Sequence, residues 1–285
     1  MNIDGNWLQS QFRDLSGIAP LSRGGQKVVY AATHSTDGSI VLKIIHPTQD
    51  PERVRRELLA VHKTGCPRVP RVLASGELQT HVGEVIWVRE QRIEGDTVRF
   101  AIKNGVFDKI SLLRLAAHVL EALADAENAQ IVHRDVKPDN IIRDTVGNFW
   151  LLDFGIARHL DLSSLTGSHA MFGVGTAGYA PPEQFRNRKR EIDGRSDLFA
   201  LGVTLYECAT GTNPFREGAR DDLEVLRNVE LMTLPPITLD FDGEGLFASF
   251  VAGISQKRSD HRPATVSDAL NWIREICDQY EVDLN

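Results

Sequence analysis

The stretch His133-Arg134-Asp135-Val136-Lys137-Pro138-Asp139-Asn140, followed by Leu152-Asp153-Phe154-Gly155, concentrates the residue types that chemistry needs. Between them, Ile141-Ile142-Arg143 and Phe149-Trp150-Leu151-Leu152 read as short strands around a turn containing Gly147-Asn148. With that turn centred at about 146.5, Asn140 and Asp153 each stand about 6.5 positions away, and symmetric pairing sets them side by side at the open end. A carboxylate and an amide carbonyl held together suit a hard, oxygen-preferring cation such as Mg²⁺. Asp135 and Lys137, just before the ribbon, offer an acceptor for a proton and a cation for developing phosphate charge.

Those groups need a scaffold, and the chain supplies two kinds. The first 90 or so residues are strand-rich: Val28-Val29-Tyr30-Ala31-Ala32 and Ile40-Val41-Leu42-Lys43-Ile44-Ile45 flank the turn signal Thr36-Asp37-Gly38-Ser39, and Val85-Ile86-Trp87-Val88 is a further strand. Between them a short helix is expected, capped by Asp50 with Pro51 and Glu52 in its first turn. Val54, Leu58 and Val61 mark its apolar stripe, and Glu57 falls within about 60° of the centre of that stripe, on its core-facing edge. A carboxylate there is costly unless a cation meets it, and Lys43 is the expected partner.

From residue 96 onward helical spacing dominates. Leu112, Leu115, Ala116, Val119, Leu120 and Leu123 form one broad apolar face. Ser196 to Thr210 is apolar nearly all round and stops at Gly211, and Thr265-Val266-Ser267-Asp268 is a capping box opening a last helix through Cys277. A small sheet-rich lobe therefore precedes a larger helical one, joined near Arg92-Ile93-Glu94-Gly95. Two lobes imply a cleft.

Composition narrows the class further. Of 285 residues 42% are apolar, enough for a real core, and the net charge of −7 argues against nucleic acid as a main partner. The three cysteines (Cys66, Cys208, Cys277) form no CxxC pair, which argues against a disulfide scaffold or structural zinc and fits a reducing cytoplasm. The longest apolar run, Leu198 to Ala209, contains Glu207 and falls short of the ~20 residues that span a bilayer. The first residues lack the layout of a signal peptide. A soluble protein without a membrane anchor is expected.

On these residues the chain resembles protein kinases of the eukaryotic-like (Hanks) type, nearest in flavour to bacterial Ser/Thr members. HRDVKPDN resembles the catalytic loop, LLDFG the metal-binding segment, and the Lys43 strand the phosphate-anchoring strand. Gly175-Thr176-Ala177-Gly178-Tyr179-Ala180-Pro181-Pro182-Glu183 resembles the end of the activation segment. Asp197 resembles the aspartate that holds the catalytic loop, and Arg262 the arginine that pairs with Glu183.

The resemblance implies an α+β, bilobal fold: an N-terminal segment 1–17, a β-rich N-lobe 18–92, a hinge 93–95 and a helical C-lobe 96–285, forming one domain over 18–278 with ATP in the cleft. It implies transfer of the ATP γ-phosphate to protein Ser/Thr hydroxyls, with Mg²⁺ or Mn²⁺ as cofactor. By the same resemblance Lys43, positioned by Glu57, contacts the α/β-phosphates, and Asn140 and Asp153 hold the metal. Asp135 accepts the substrate proton, Lys137 meets the γ-phosphate, and Thr176 bridges Asp135 and Lys137 and helps seat the peptide. Val61, His133 and Phe154, with Gly155 beside them, belong to a stack of the active state. Val29, Val41 and Ile142 complete another against adenine.

There are departures. The family's GxGxxG positions are Ser22, Gly24 and Lys27, within Leu21-Ser22-Arg23-Gly24-Gly25-Gln26-Lys27, so only the middle glycine survives. That reshapes the backbone cradle for phosphate, an effect the cations Arg23 and Lys27 partly offset. Val41 replaces the usual alanine, APE has become Pro181-Pro182-Glu183, and Arg89 to Ile93 aligns only with a one-residue slip, leaving the gatekeeper unassigned. Arg134 is the residue that binds an activation-segment phosphate in many kinases, and Ser163, Ser164, Thr166 and Ser168 are candidate autophosphorylation sites, reached in trans through a transient homodimer. Two rival readings remain: a pseudokinase, motivated by the worn glycine loop, and a small-molecule phosphotransferase. The intact Lys43, Asp135, Asn140 and Asp153 oppose the first, and Lys137 with the Thr176–Glu183 segment opposes the second.

Overall fold

A computed structural model describes residues 5–23, 27–46, 65–80, 83–154 and 175–284. Five strands form the first sheet: β1 (Leu15–Arg23), β2 (Lys27–His34), β3 (Gly38–Ile45), β4 (Val72–Thr80) and β5 (Gly83–Gln91), in the order β1-β2-β3-β5-β4 and antiparallel throughout. The expected hairpin is present, with Val29 opposite Lys43 and Ala31 opposite Val41.

Period-two alternation then decides which side chains face the cleft. Val28, Tyr30 and Ala32 on β2 and Ile40, Leu42 and Ile44 on β3 join Val85 in one apolar cluster. Leu8 of helix α1 (Gly5–Gln11) and Leu15 cap that cluster, so part of the segment set apart as 1–17 packs into the small lobe's core. The alternate residues Lys27, Val29, Val41 and Lys43 are thereby turned to the opposite face.

The chain crosses through residues 92–94 into a second, three-stranded sheet, β6 (Gly95–Thr97), β7 (Ile141–Asp144) and β8 (Phe149–Leu151). Around it lie α2 (Val98–Lys103), α3 (Lys109–Asn128), α4 (Pro182–Phe185), α5 (Gly194–Thr210), α6 (Asp222–Leu231), α7 (Leu246–Ile254) and α8 (Val266–Gln279). Helix α5 is buried almost end to end, Gly211 stops it in the left-handed conformation at φ 84°, and the Thr265/Asp268 capping box opens α8. The architecture is α+β with a sheet lobe and a helical lobe, as expected. The short helix expected from Asp50 through Val61 lies outside the described residues.

One expectation needs correction. The β7–β8 register pairs Ile141 with Leu151 and Arg143 with Phe149, which centres the turn on Val146. Asp144 sets this register: its carboxylate accepts the amides of Val146 (3.0 Å) and Asn148 (2.8 Å), and Asp144 and Asn148 pair through the backbone. The loop therefore holds three residues, 145–147, closed by Gly147 at φ 91°. The residue opposite Asn140 is Leu152, whose amide donates to the Asn140 carbonyl at 2.9 Å, and Asp153 stands one position further on.

Candidate active site

The cleft between the sheet and the second ribbon has a volume of about 700 Å³. Its walls combine an apolar slot of Leu21, Val29, Val41, Ile142 and Leu152 with a polar floor of Lys137, Asn140, Asp153 and Thr176. A flat apolar group at one end and an anion at the other would fit such a lining. Ser22 also lines it, and Arg23 stands exposed at the end of β1.

Asp135 is held by three donors. Thr176 Oγ1 donates to its Oδ1 at 2.6 Å, while Lys137 Nζ (2.7 Å) and Asn140 Nδ2 (2.8 Å) donate to Oδ2. Lys137 Nζ also reaches Thr176 Oγ1 at 2.7 Å, so the expected bridge is present as a closed triangle. An ionised carboxylate has about four acceptor positions, and three donors leave room for one more proton. Asn140 commits its amide nitrogen to Asp135, contacting the backbone carbonyl as well, which leaves its side-chain oxygen as the atom for a cation.

The loop carrying Asp135 is strained and pinned. Arg134 adopts φ 68°, a left-handed conformation that costs a non-glycine residue about 1–3 kcal/mol and persists only where neighbours enforce it. Asp197, at the buried start of α5, accepts the amides of His133 (2.8 Å) and Arg134 (2.7 Å). Burial pushes the Asp197 carboxyl up from its usual range, against the pull of His133, Arg134 and these two amides. Gln184 Nε2 donates to the Arg134 carbonyl at 2.7 Å, closing the loop from the other side. His133 accepts the Asp135 amide at Nδ1 (3.2 Å), so its Nε2 carries the hydrogen donated to the Leu152 carbonyl at 2.7 Å. Its ring meets Phe154 edge-on at 4.6 Å between centroids. Glu183 and Arg262 pair at 2.6 Å deep in the helical lobe.

Asp153, also left-handed at φ 65°, receives two ammonium groups: Lys43 at 2.9 Å on Oδ1 and Lys27 at 2.5 Å on Oδ2. Burial alone would raise its pKa, but the two lysines outweigh that and hold the carboxyl far below the carboxylate range. Lys43 shows the mirror effect. Desolvation would lower it, yet Asp153 and Glu90 raise it above the ordinary lysine value. Glu57, Gly24, Gly25, Val61, Gly155, Ser163, Ser164, Thr166 and Ser168 lie outside the described residues.

Glu90, which the sequence reading passed over, is buried and pairs with Lys43 at 2.5 Å. Ile86, Val88 and Glu90 alternate along β5, the first two are buried, and Glu90 sits opposite Val41 in the register. A carboxylate at the third position of an apolar strand face demands a cation, and that signal was present in the sequence. Gln184 had no such signal, because a glutamine on a short helix gives no hint of which carbonyl it meets.

Comparison with known proteins agrees with this geometry. The family model described as "Protein kinase domain" matches residues 17–273. The chain belongs to the protein kinase family. Among curated proteins it is 33% identical over 225 residues to a Corynebacterium glutamicum protein named "Probable serine/threonine-protein kinase PknB", covering 76% of this chain and 34% of that protein. It is 32% identical over 199 residues to the serine/threonine-protein kinase PrkC of Bacillus subtilis, covering 67% and 30% respectively. The chain thus spans about a third of the length of the relatives it matches.

Membership of this family implies use of ATP and a divalent metal. Among the described residues no three His, Cys, Asp or Glu side chains gather as a metal cage. Mg²⁺ does not need one, since it binds through one or two protein oxygens plus substrate phosphates and water. Asn140 and Asp153 supply such a pair, so the residues fit. No helix among the described residues is long and apolar enough to cross a membrane.

Proposed function

We propose that this chain is a serine/threonine protein kinase that uses Mg²⁺, with Mn²⁺ as an alternative. The observation that carries the reading is the closed contact of Thr176, Asp135 and Lys137, which places a proton acceptor, a cation and a substrate-facing hydroxyl within 2.7 Å of one another. Asp135 takes the proton from the substrate hydroxyl as that oxygen bonds to the γ-phosphorus and the bond to the ADP oxygen breaks. Lys137 neutralises charge on the γ-phosphate, and Lys43 anchors the α/β-phosphates. Asn140 and Asp153 would hold the metal, which when bound supplies charge neutralisation at the transferring group. Val29, Val41, Leu21 and Ile142 would hold adenine between apolar walls.

Labelling of a generic basic protein with radioactive Mg·ATP tests this. Wild type labels serine and threonine, and Asp135→Ala lowers the rate by about 10²–10⁴-fold, the usual worth of a positioned base. Equal labelling by both proteins, or none by wild type, overturns the reading. We assign autophosphorylation to Ser163, Ser164, Thr166 and Ser168, in trans within a transient homodimer, with Arg134 as the cation that receives the phosphate. Phosphopeptide mapping after ATP incubation checks it, and absence of phosphate from 163–168 refutes it. The three cysteines are all free and buried, which supports a cytoplasmic setting.

A further inference from the structure

Lys27 stands where the family's phosphate loop has its last glycine, and its side chain crosses the cleft. It opens β2 two residues before Val29, so alternation gives it the same cleft-facing side as Val29 and, across the pair, Lys43. Its Nζ lies 2.5 Å from Asp153 Oδ2. One carboxylate therefore holds ammonium groups from two neighbouring strands, and the Glu90 carboxylate on Lys43 completes a neutral group of four charges.

The two lysines are not equivalent. The Lys43 side chain is 6% exposed and keeps Glu90 at 2.5 Å if it leaves Asp153. The Lys27 side chain is 18% exposed, and among the described residues its ion-pair partner is Asp153 alone. For an oxygen of Asp153 to become available, one of the two ammonium groups must yield, and that is Lys27, which among the described residues has no second ion-pair partner. Four methylenes let that ammonium swing without moving the strand. The anions nearest to receive it are the oxygens of the triphosphate that enters with the metal.

We propose that Lys27 is a phosphate ligand of this nucleotide site: it holds Asp153 in the free protein and passes to the triphosphate oxygens when ATP binds. It does with a charge what backbone N–H groups do in a glycine-complete loop. The inference rests on the nucleotide reading above. Its consequence is that Lys27 adds to ATP affinity even in the absence of metal, because the negative charge of the triphosphate itself competes with Asp153 for the ammonium.

Calorimetric titration of ATP into the full chain, once in EDTA and once in excess Mg²⁺, tests it without reference to catalysis. Wild type binds ATP in EDTA. Lys27→Met weakens that metal-free affinity about tenfold, ~1.4 kcal/mol, and Lys27→Arg recovers most of the loss. In Mg²⁺ the methionine variant loses less, because removing Lys27 also frees an oxygen of Asp153. Lys27→Gln repeats the measurement if the methionine variant does not fold. Equal metal-free affinity for wild type and the neutral variants overturns the proposal and leaves the nucleotide reading standing. Failure of wild type to bind ATP in either buffer overturns the nucleotide reading itself.

Discussion

Replacing Arg262 by methionine removes the cation at the centre of the helical lobe, and the structure gives the cost. The Arg262 side chain is fully buried and donates to Glu183 Oε1 (2.6 Å) and Oε2 (3.2 Å). It also donates to the carbonyls of Gln256 (2.7 Å), Arg195 (2.8 Å) and Lys257 (3.0 Å), and lies 5.1 Å from the Phe199 ring centroid. Methionine fills much of the volume but leaves the Glu183 carboxylate with the Ser196 hydroxyl at 2.9 Å and takes a donor away from three carbonyls. Removing one partner of a buried pair costs about 3–5 kcal/mol. At about 2–4 °C per kcal/mol for a domain of this size, the melting point falls by about 6–20 °C. Urea denaturation of wild type, Arg262→Met, Glu183→Met and the double variant separates the causes. If the unpaired charge is the main loss, the double variant is more stable than Arg262→Met by at least about 1 kcal/mol. An Arg262→Met protein within about 1 kcal/mol of wild type, or a double variant whose loss is the sum of the singles, refutes the reasoning.

Thr176→Val keeps the shape but removes the hydroxyl between Asp135 and Lys137, and a fall in kcat of about tenfold is expected, with Thr176→Ser near wild type; steady-state kinetics showing valine and serine alike would contradict this. Lys257 places Nζ 4.0 Å from the Phe215 centroid, and burial, aided by the charge of Arg262, pulls its pKa down to about 7. Unfolded, it keeps its proton to about 10.5, so above about pH 7 the unfolded state holds more protons and stability rises with pH across that window. Urea midpoints from pH 7 to 9 should rise more steeply for wild type than for Lys257→Met, and parallel slopes would rule the effect out.

The elements that announced themselves were those whose pattern has a single physical meaning. Helix α5 is apolar nearly all round and stops at Gly211, which marks it as central, and the Thr265/Asp268 box marks the opening of a helix. Strands β2 and β3 were legible as a hairpin from alternation about one glycine turn. Strand β1 and helix α1 were not, because a helix of seven residues and a strand interrupted by Gly17 and Pro20 carry patterns too short to read, and their burial depends on the sheet they cap. The catalytic loop was legible through its motif. Gln184 was not, because its role lies in reaching the backbone carbonyl of Arg134, 50 positions away in the chain.

The misplaced centre of the β7–β8 turn shows why the site survives an error that the register does not. A one-residue shift exchanges the faces of a strand, so Asp153 directly opposite Asn140 and Asp153 one step beyond it are different geometries. Yet Asp153 has already left the strand: β8 ends at Leu151, and the left-handed backbone at Asp153 redirects the chain. Its side-chain direction is set by Lys43 and Lys27, arriving from the other sheet, and not by pairing with β7. Asn140 is likewise turned by Asp135. The ribbon therefore delivers two backbones to one end of the cleft, and charges from outside it aim the side chains. Spacing in a sequence can foretell the delivery, while the aiming of Asp153 depends on partners more than a hundred residues away.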